Sequence, residues 1–116
     1  MELPIQITFR SMPQSEALEA AIRERASKLG QFHPNVMSCR VVIETAARHK
    51  QQGKEFVARL DIRVKGAEIA INREHSEDAF VAVRDAFDAA RRKLEDHARR
   101  QRGDVKSHAP GPAERG

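Results

Sequence analysis

The chain of 116 residues contains no Trp, no Tyr, five Phe and a single cysteine. Each scarcity excludes something. One cysteine, Cys39, cannot close an intramolecular disulfide or furnish a multi-cysteine metal site. With no apolar leader at the N-terminus, the expectation is a reducing cytoplasm. No apolar run approaches the roughly 20 residues that span a bilayer, so no membrane partner is expected. With so few aromatics, the core must be built from Val, Ile, Leu and Ala.

Enzyme motifs are missing too. There is no phosphate-cradling Gly-rich loop, no G-x-S-x-G elbow and no H-E-x-x-H. His33, His49, His75, His97 and His108 are scattered without metal-ligand spacing, which reads as ordinary exposed histidine and no metal site. Cys39 falls on the apolar side of an alternating run, where cysteine behaves as a small hydrophobe rather than a nucleophile. Glu95-Asp96 sits among arginines on a helix surface, which solvated ion pairing explains. The expectation is a protein that is not an enzyme, with no cofactor and no small-molecule substrate.

What is present suits one domain. Leu3, Ile5, Ile7 and Phe9 alternate with polar or small residues, the pattern of a strand with one buried face. Ser15 is placed to cap a helix over about 16–29, with Gly30 where it would end. Met37, Cys39, Val41 and Ile43 alternate as a second strand, and residues 45–54 read as a polar loop. Phe56, Ala58, Leu60, Ile62 and Val64 give the clearest strand. Lys65-Gly66 fits a hairpin turn, followed by a short fourth strand through Ala67, Ile69 and Ile71. Ser76-Glu77-Asp78 begins a second helix, whose apolar residues Phe80, Val83, Phe87, Ala90 and Leu94 recur at helical spacing. It should run to about residue 100 or 101. The order β-α-β-β-β-α predicts an α+β two-layer sandwich with a four-stranded sheet and two helices on one face, resembling a double-stranded-RNA-binding domain. The last three strands should form an antiparallel meander with the first beside one edge. Residues 1–102 form the expected domain, and Gly and Pro in residues 103–116 predict a disordered tail.

Twenty-one Lys and Arg against seventeen Asp and Glu give a net charge of +4, which is a weak argument for nucleic acid by itself. Position strengthens it. With Phe80 as origin, the apolar stripe of the second helix spans about 0° to −80°, Arg84, Arg91 and Arg102 lie at about 20–40°, and Arg92 and Arg99 at about 100–120°. Lys93 and Arg100 lie on the far side. Between Arg91 and Lys106 there are seven basic and three acidic residues. On the first helix, Arg25 and Lys28 are i,i+3 neighbours at the edge of its apolar stripe. If both helices lie on one side of the sheet, Arg25, Lys28 and the Arg84–Arg91–Arg92 flank can form one surface for the phosphates of a folded RNA. The alternative is that these are solubilising charges on ordinary amphipathic helices. With all five Phe assigned to apolar faces, no platform remains for stacking single-stranded bases. Recognition should then rest on phosphate contacts and shape.

Several runs occur together in order: Ser15-Glu16-Ala17-Leu18 through Arg25-Ala26-Ser27-Lys28-Leu29, Val64-Lys65-Gly66-Ala67-Glu68-Ile69, and Asp78-Ala79-Phe80-Val81-Ala82-Val83. Over about residues 3–100 the chain resembles the hibernation-promoting factor and ribosome-associated inhibitor family, in a short form. The resemblance implies a stress and stationary-phase translation inhibitor. Such a protein docks in the decoding channel of the small ribosomal subunit and occupies the space of messenger and transfer RNA. A second ribosome-pairing factor is a further candidate partner. Arg25, Lys28 and Arg92 match basic positions of the family, and Arg84, Arg91, Lys93, Arg99 and Arg100 complete the candidate RNA-binding set. Family members usually carry basic residues where Ala89, Asp96 and Ala98 stand. Two other readings share the features: a general double-stranded RNA-binding module, which usually has a G-P-x-H loop and a K-K-x-A-K helix start missing here, and a basic protein-interaction domain.

Overall fold

A computed structural model describes residues 3–47 and 54–102. Its elements are β1 (Ile5–Arg10), α1 (Glu16–Phe32), β2 (Val36–Ala47), β3 (Lys54–Val64), β4 (Ala67–Ser76) and α2 (Ala79–Gln101). The four strands form one sheet in the order β1-β2-β3-β4, with β1 parallel to β2 and the later pairs antiparallel. Parallel pairing of β1 and β2 requires a crossover, which α1 supplies. The predicted α+β sandwich is therefore the fold. The expected tail and most of the expected polar loop (residues 48–53) lie outside the described residues.

One core holds the two layers together. Leu18, Ile22, Ala26 and Leu29 of α1 and Val83, Phe87, Ala90 and Leu94 of α2 meet Cys39, Val41 and Ile43 of β2, Leu60 and Ile62 of β3 and Ile71 of β4. Both helices thus cover the same sheet face. The opposite face keeps Arg40, Arg59 and Arg63 exposed. Cys39 is buried, and burial, with a smaller contribution from Asp61, pushes its thiol up to about 12. It is protonated at neutral pH and serves packing.

Local chemistry explains where the elements begin. Ser15 caps α1, its hydroxyl accepting from the Leu18 amide at 3.2 Å. The loop of Lys65 and Gly66 joins β3 to β4 with a positive φ only at Gly66 (84°), the pattern of a type II turn. A Cβ there would meet nothing within 4 Å, so the cost of a substitution is conformational. Gly66→Val is expected to destabilise the protein by about 1–2 kcal/mol, read as a lower urea midpoint with unchanged slope.

Several expectations were wrong in detail. Gly30 does not end α1, which continues to Phe32; it packs beside Leu3, which lies 3.4 Å from where a Cβ would be, an ordinary contact distance. The second strand extends through Ala47, taking in Thr45 and Ala46 from the expected loop. A register shift between Val36 and Ser38 turns Met37 outward, 55% exposed, and buries Val36 in its place. The fourth strand is not short. It pairs with β3 as far as Phe56↔Ser76, so Ser76 belongs to the sheet and the helix cap falls to Asp78, whose carboxylate accepts from the Phe80 amide at 2.8 Å. Phe80, in that first turn, is 48% exposed and lies outside the buried stripe.

A basic surface across two helices

The strand directions fix how the helices lie. α1 leaves the C-terminal end of β1 and returns to the start of β2, where the Cys39 amide donates to the Pro4 carbonyl. α2 leaves the end of β4 and returns along it, so that Lys93 reaches the Ala70 carbonyl at 3.1 Å. The two helices therefore run in the same direction, side by side, with α1 over β1 and β2 and α2 over β3 and β4.

This arrangement orients each helix about its axis. Lys93 marks the flank of α2 that faces the outer edge of the sheet at β4. Arg84 and Arg91, on the other side of the buried stripe, lie on the flank toward α1. On α1, Gly30 marks the flank that faces β1, through its approach to Leu3. Arg25 and Lys28 lie on the opposite flank, toward α2. Arg25, Lys28, Arg84 and Arg91 thus border the same interhelical surface. Arg92 and Arg99 stand further out on α2, while Lys93 and Arg100 belong to its other side.

The eight candidate cations differ in what already holds them. Arg84 pairs with Asp85 at 3.3 Å, Lys28 with Glu24 at 3.7 Å, and Arg99 and Arg100 with Asp96 at 3.4 and 3.0 Å. All of these pairs are solvent-exposed, so each contributes at most about 1 kcal/mol and can be exchanged for a phosphate. Lys93 is committed to the sheet edge. Among the described residues, Arg25, Arg91 and Arg92 make no hydrogen bond or ion pair. Arg91 and Arg92 are exposed and Arg25 is half-buried, its stem lying along the core edge. Of the eight candidates, these three guanidinium groups are the ones with no partner among the described residues.

The positions where family members usually carry a base have other partners. Asp96 holds Arg99 and Arg100, and Ala89 packs against the core. The sequence reading also missed a feature of this surface. Phe32 is 76% exposed, so the assignment of all five Phe to apolar faces fails for both Phe32 and Phe80. A helical wheel continued past Gly30 places Phe32 off the Leu18–Ile22–Ala26–Leu29 stripe, a signal lost by ending the helix at Leu29.

Among the described residues no helix is long and apolar enough to cross a membrane, and no group of three or more His, Cys, Asp or Glu is placed to hold a metal. Comparison with curated proteins finds no match. Among solved structures, a ribosomal subunit interface protein from Coxiella burnetii superposes with a TM-score of 0.70 at 14% identity, covering 83% of this chain and 98% of that one. The N-terminal domain of Protein Y from Thermus thermophilus superposes with a TM-score of 0.62 at 12% identity, covering 84% and 99%. At these identities the likeness is one of fold. The family model for Sigma 54 modulation protein / S30EA ribosomal protein matches residues 5–102. That match spans both helices and the whole sheet, and the chain belongs to this family, that of the hibernation-promoting factors.

Proposed function

We propose that this protein is a cytoplasmic, ribosome-associated translation inhibitor of the hibernation type. It binds ribosomal RNA of the small subunit in the decoding channel and denies that space to messenger and transfer RNA. The observation that carries this reading is the set of unneutralised guanidinium groups, Arg25, Arg91 and Arg92, displayed by two helices on the same side of one sheet. Membership of a ribosome-associated family supplies the partner. A helical, arginine-bearing face suits the phosphates of a folded RNA better than a sheet face of mixed charge, where Arg40 and Asp61 are cross-strand neighbours.

Gradient sedimentation of stationary-phase extracts tests the reading. The protein should travel with small subunits and with ribosomes containing them. With purified subunits, the logarithm of affinity should fall linearly with that of salt, by roughly 0.7–0.9 per phosphate neutralised. Comparable affinity for plain duplex RNA would instead indicate a general double-stranded RNA-binding module. Recovery only at the top of the gradient would reject ribosome binding.

A further inference from the structure

Phe32, the last residue of α1, is 76% exposed. An aromatic ring left in water adds nothing to folding, so its position needs another explanation. Lys28 and Arg25 precede it by four and seven residues. The three side chains therefore share a stripe about 60° wide on one face of α1. Gly30, about 160° round the helix from Phe32, packs under Leu3 and lines the groove beside β1 together with Gln31 and Met37. Phe32 is not part of that groove. Its stripe is the one toward α2, so the ring continues the line of Arg25 and Lys28 on the surface assigned to RNA.

We propose that Phe32 is a stacking platform for one unpaired base of the bound RNA, with Lys28 and Arg25 on the neighbouring phosphates; this rests on the RNA-binding reading above. The ring offers a π-face that any base can cover, so the contact requires an unpaired nucleotide but selects no particular one. Lys28 lies about 6 Å along the helix axis from Phe32, within reach of a phosphate attached to the stacked nucleotide. The other exposed phenylalanine shows what such a platform needs. Phe80 follows Glu77 and Asp78, and the Asp78 carboxylate accepts from its own amide, so negative charge beside that ring repels a phosphate backbone.

The test uses the full chain and purified small ribosomal subunits. Phe32→Ala and Phe32→Leu should each weaken binding roughly tenfold, in the range of one lost base stack, while Phe32→Trp retains full affinity. All three should keep the wild-type thermal midpoint, because the side chain is exposed. The salt slope should stay unchanged in the Phe32 variants and fall by about one phosphate in Lys28→Ala. A photo-crosslinking benzoylphenylalanine at position 32 should attach to ribosomal RNA. Wild-type affinity in Phe32→Leu would identify a plain apolar contact and overturn the proposal. So would wild-type affinity in Phe32→Ala, or adducts confined to a ribosomal protein or a second copy of the chain. Failure of the wild-type chain to bind subunits would remove the RNA-binding reading itself, and stacking with it. A wild type that binds beside a silent Phe32→Ala removes stacking alone.

Discussion

Arg91→Glu combined with Arg92→Glu is expected to abolish cosedimentation with small subunits while leaving the fold intact. Both side chains are exposed and unpaired among the described residues, so reversing them breaks no internal contact, and surface changes of this kind usually stay within about 0.5 kcal/mol of wild-type stability. On the RNA the effect is large. On the proposed interface each reversal would delete a charge-assisted contact and place a carboxylate against phosphate, and like charges brought together cost several kcal/mol. A combined loss above about 3 kcal/mol, more than a hundredfold in affinity, follows. Lys93→Glu is the control to set beside each single reversal, Arg91→Glu or Arg92→Glu: it makes the same charge change on the flank held to the Ala70 carbonyl, and should weaken binding far less than either. Unchanged cosedimentation of the double variant would remove this face of α2 from the interface.

Leu94→Ala should be among the most damaging of single truncations in α2. Leu94 is 1% exposed and is the last buried residue of that helix. Its removal empties part of the core and releases the segment that carries Arg99 and Arg100. Truncations of this kind cost about 2–5 kcal/mol, a large share of the roughly 5–15 kcal/mol available to a domain. Equilibrium urea denaturation should show the midpoint falling accordingly. Binding measured where the variant is still folded should weaken only modestly, since Arg91 lies before the cavity. A loss under about 0.5 kcal/mol would mean that the end of α2 is not anchored through this residue.

The layers of the fold were legible because their periods differ. Alternation marked the buried faces of β2 and β3, and the 4-3-4 spacing of Val83, Phe87, Ala90 and Leu94 marked the face of α2. The misreadings all came from tertiary packing overriding a local signal. Gly30 has the chemistry of a helix stop but lies within α1, packed beside Leu3. Ser76 has the chemistry of a cap but is claimed by pairing with Phe56. Met37 obeys the alternation until a register shift reverses it.

The candidate site was legible only to the level of which helix flank is basic. Spacing on one helix gives angles, so Arg84 and Arg91 could be separated from Lys93 and Arg100. Which cations are already satisfied depends on neighbours in space. Ion pairs of Lys28 with Glu24, of Arg84 with Asp85 and of Arg99 and Arg100 with Asp96, and the bond from Lys93 to β4, reduce eight candidates to three unengaged ones. Asp96 is thereby an organiser of two arginines.

Binding of messenger RNA and initiator transfer RNA to small subunits, in competition with this protein, tests the central claim most directly. Increasing protein should displace both ligands to completion at one protein per subunit, and the Arg91→Glu, Arg92→Glu variant should displace neither. Formation of a four-component complex, with the protein and both RNAs held together on one subunit, would contradict occupation of the decoding channel.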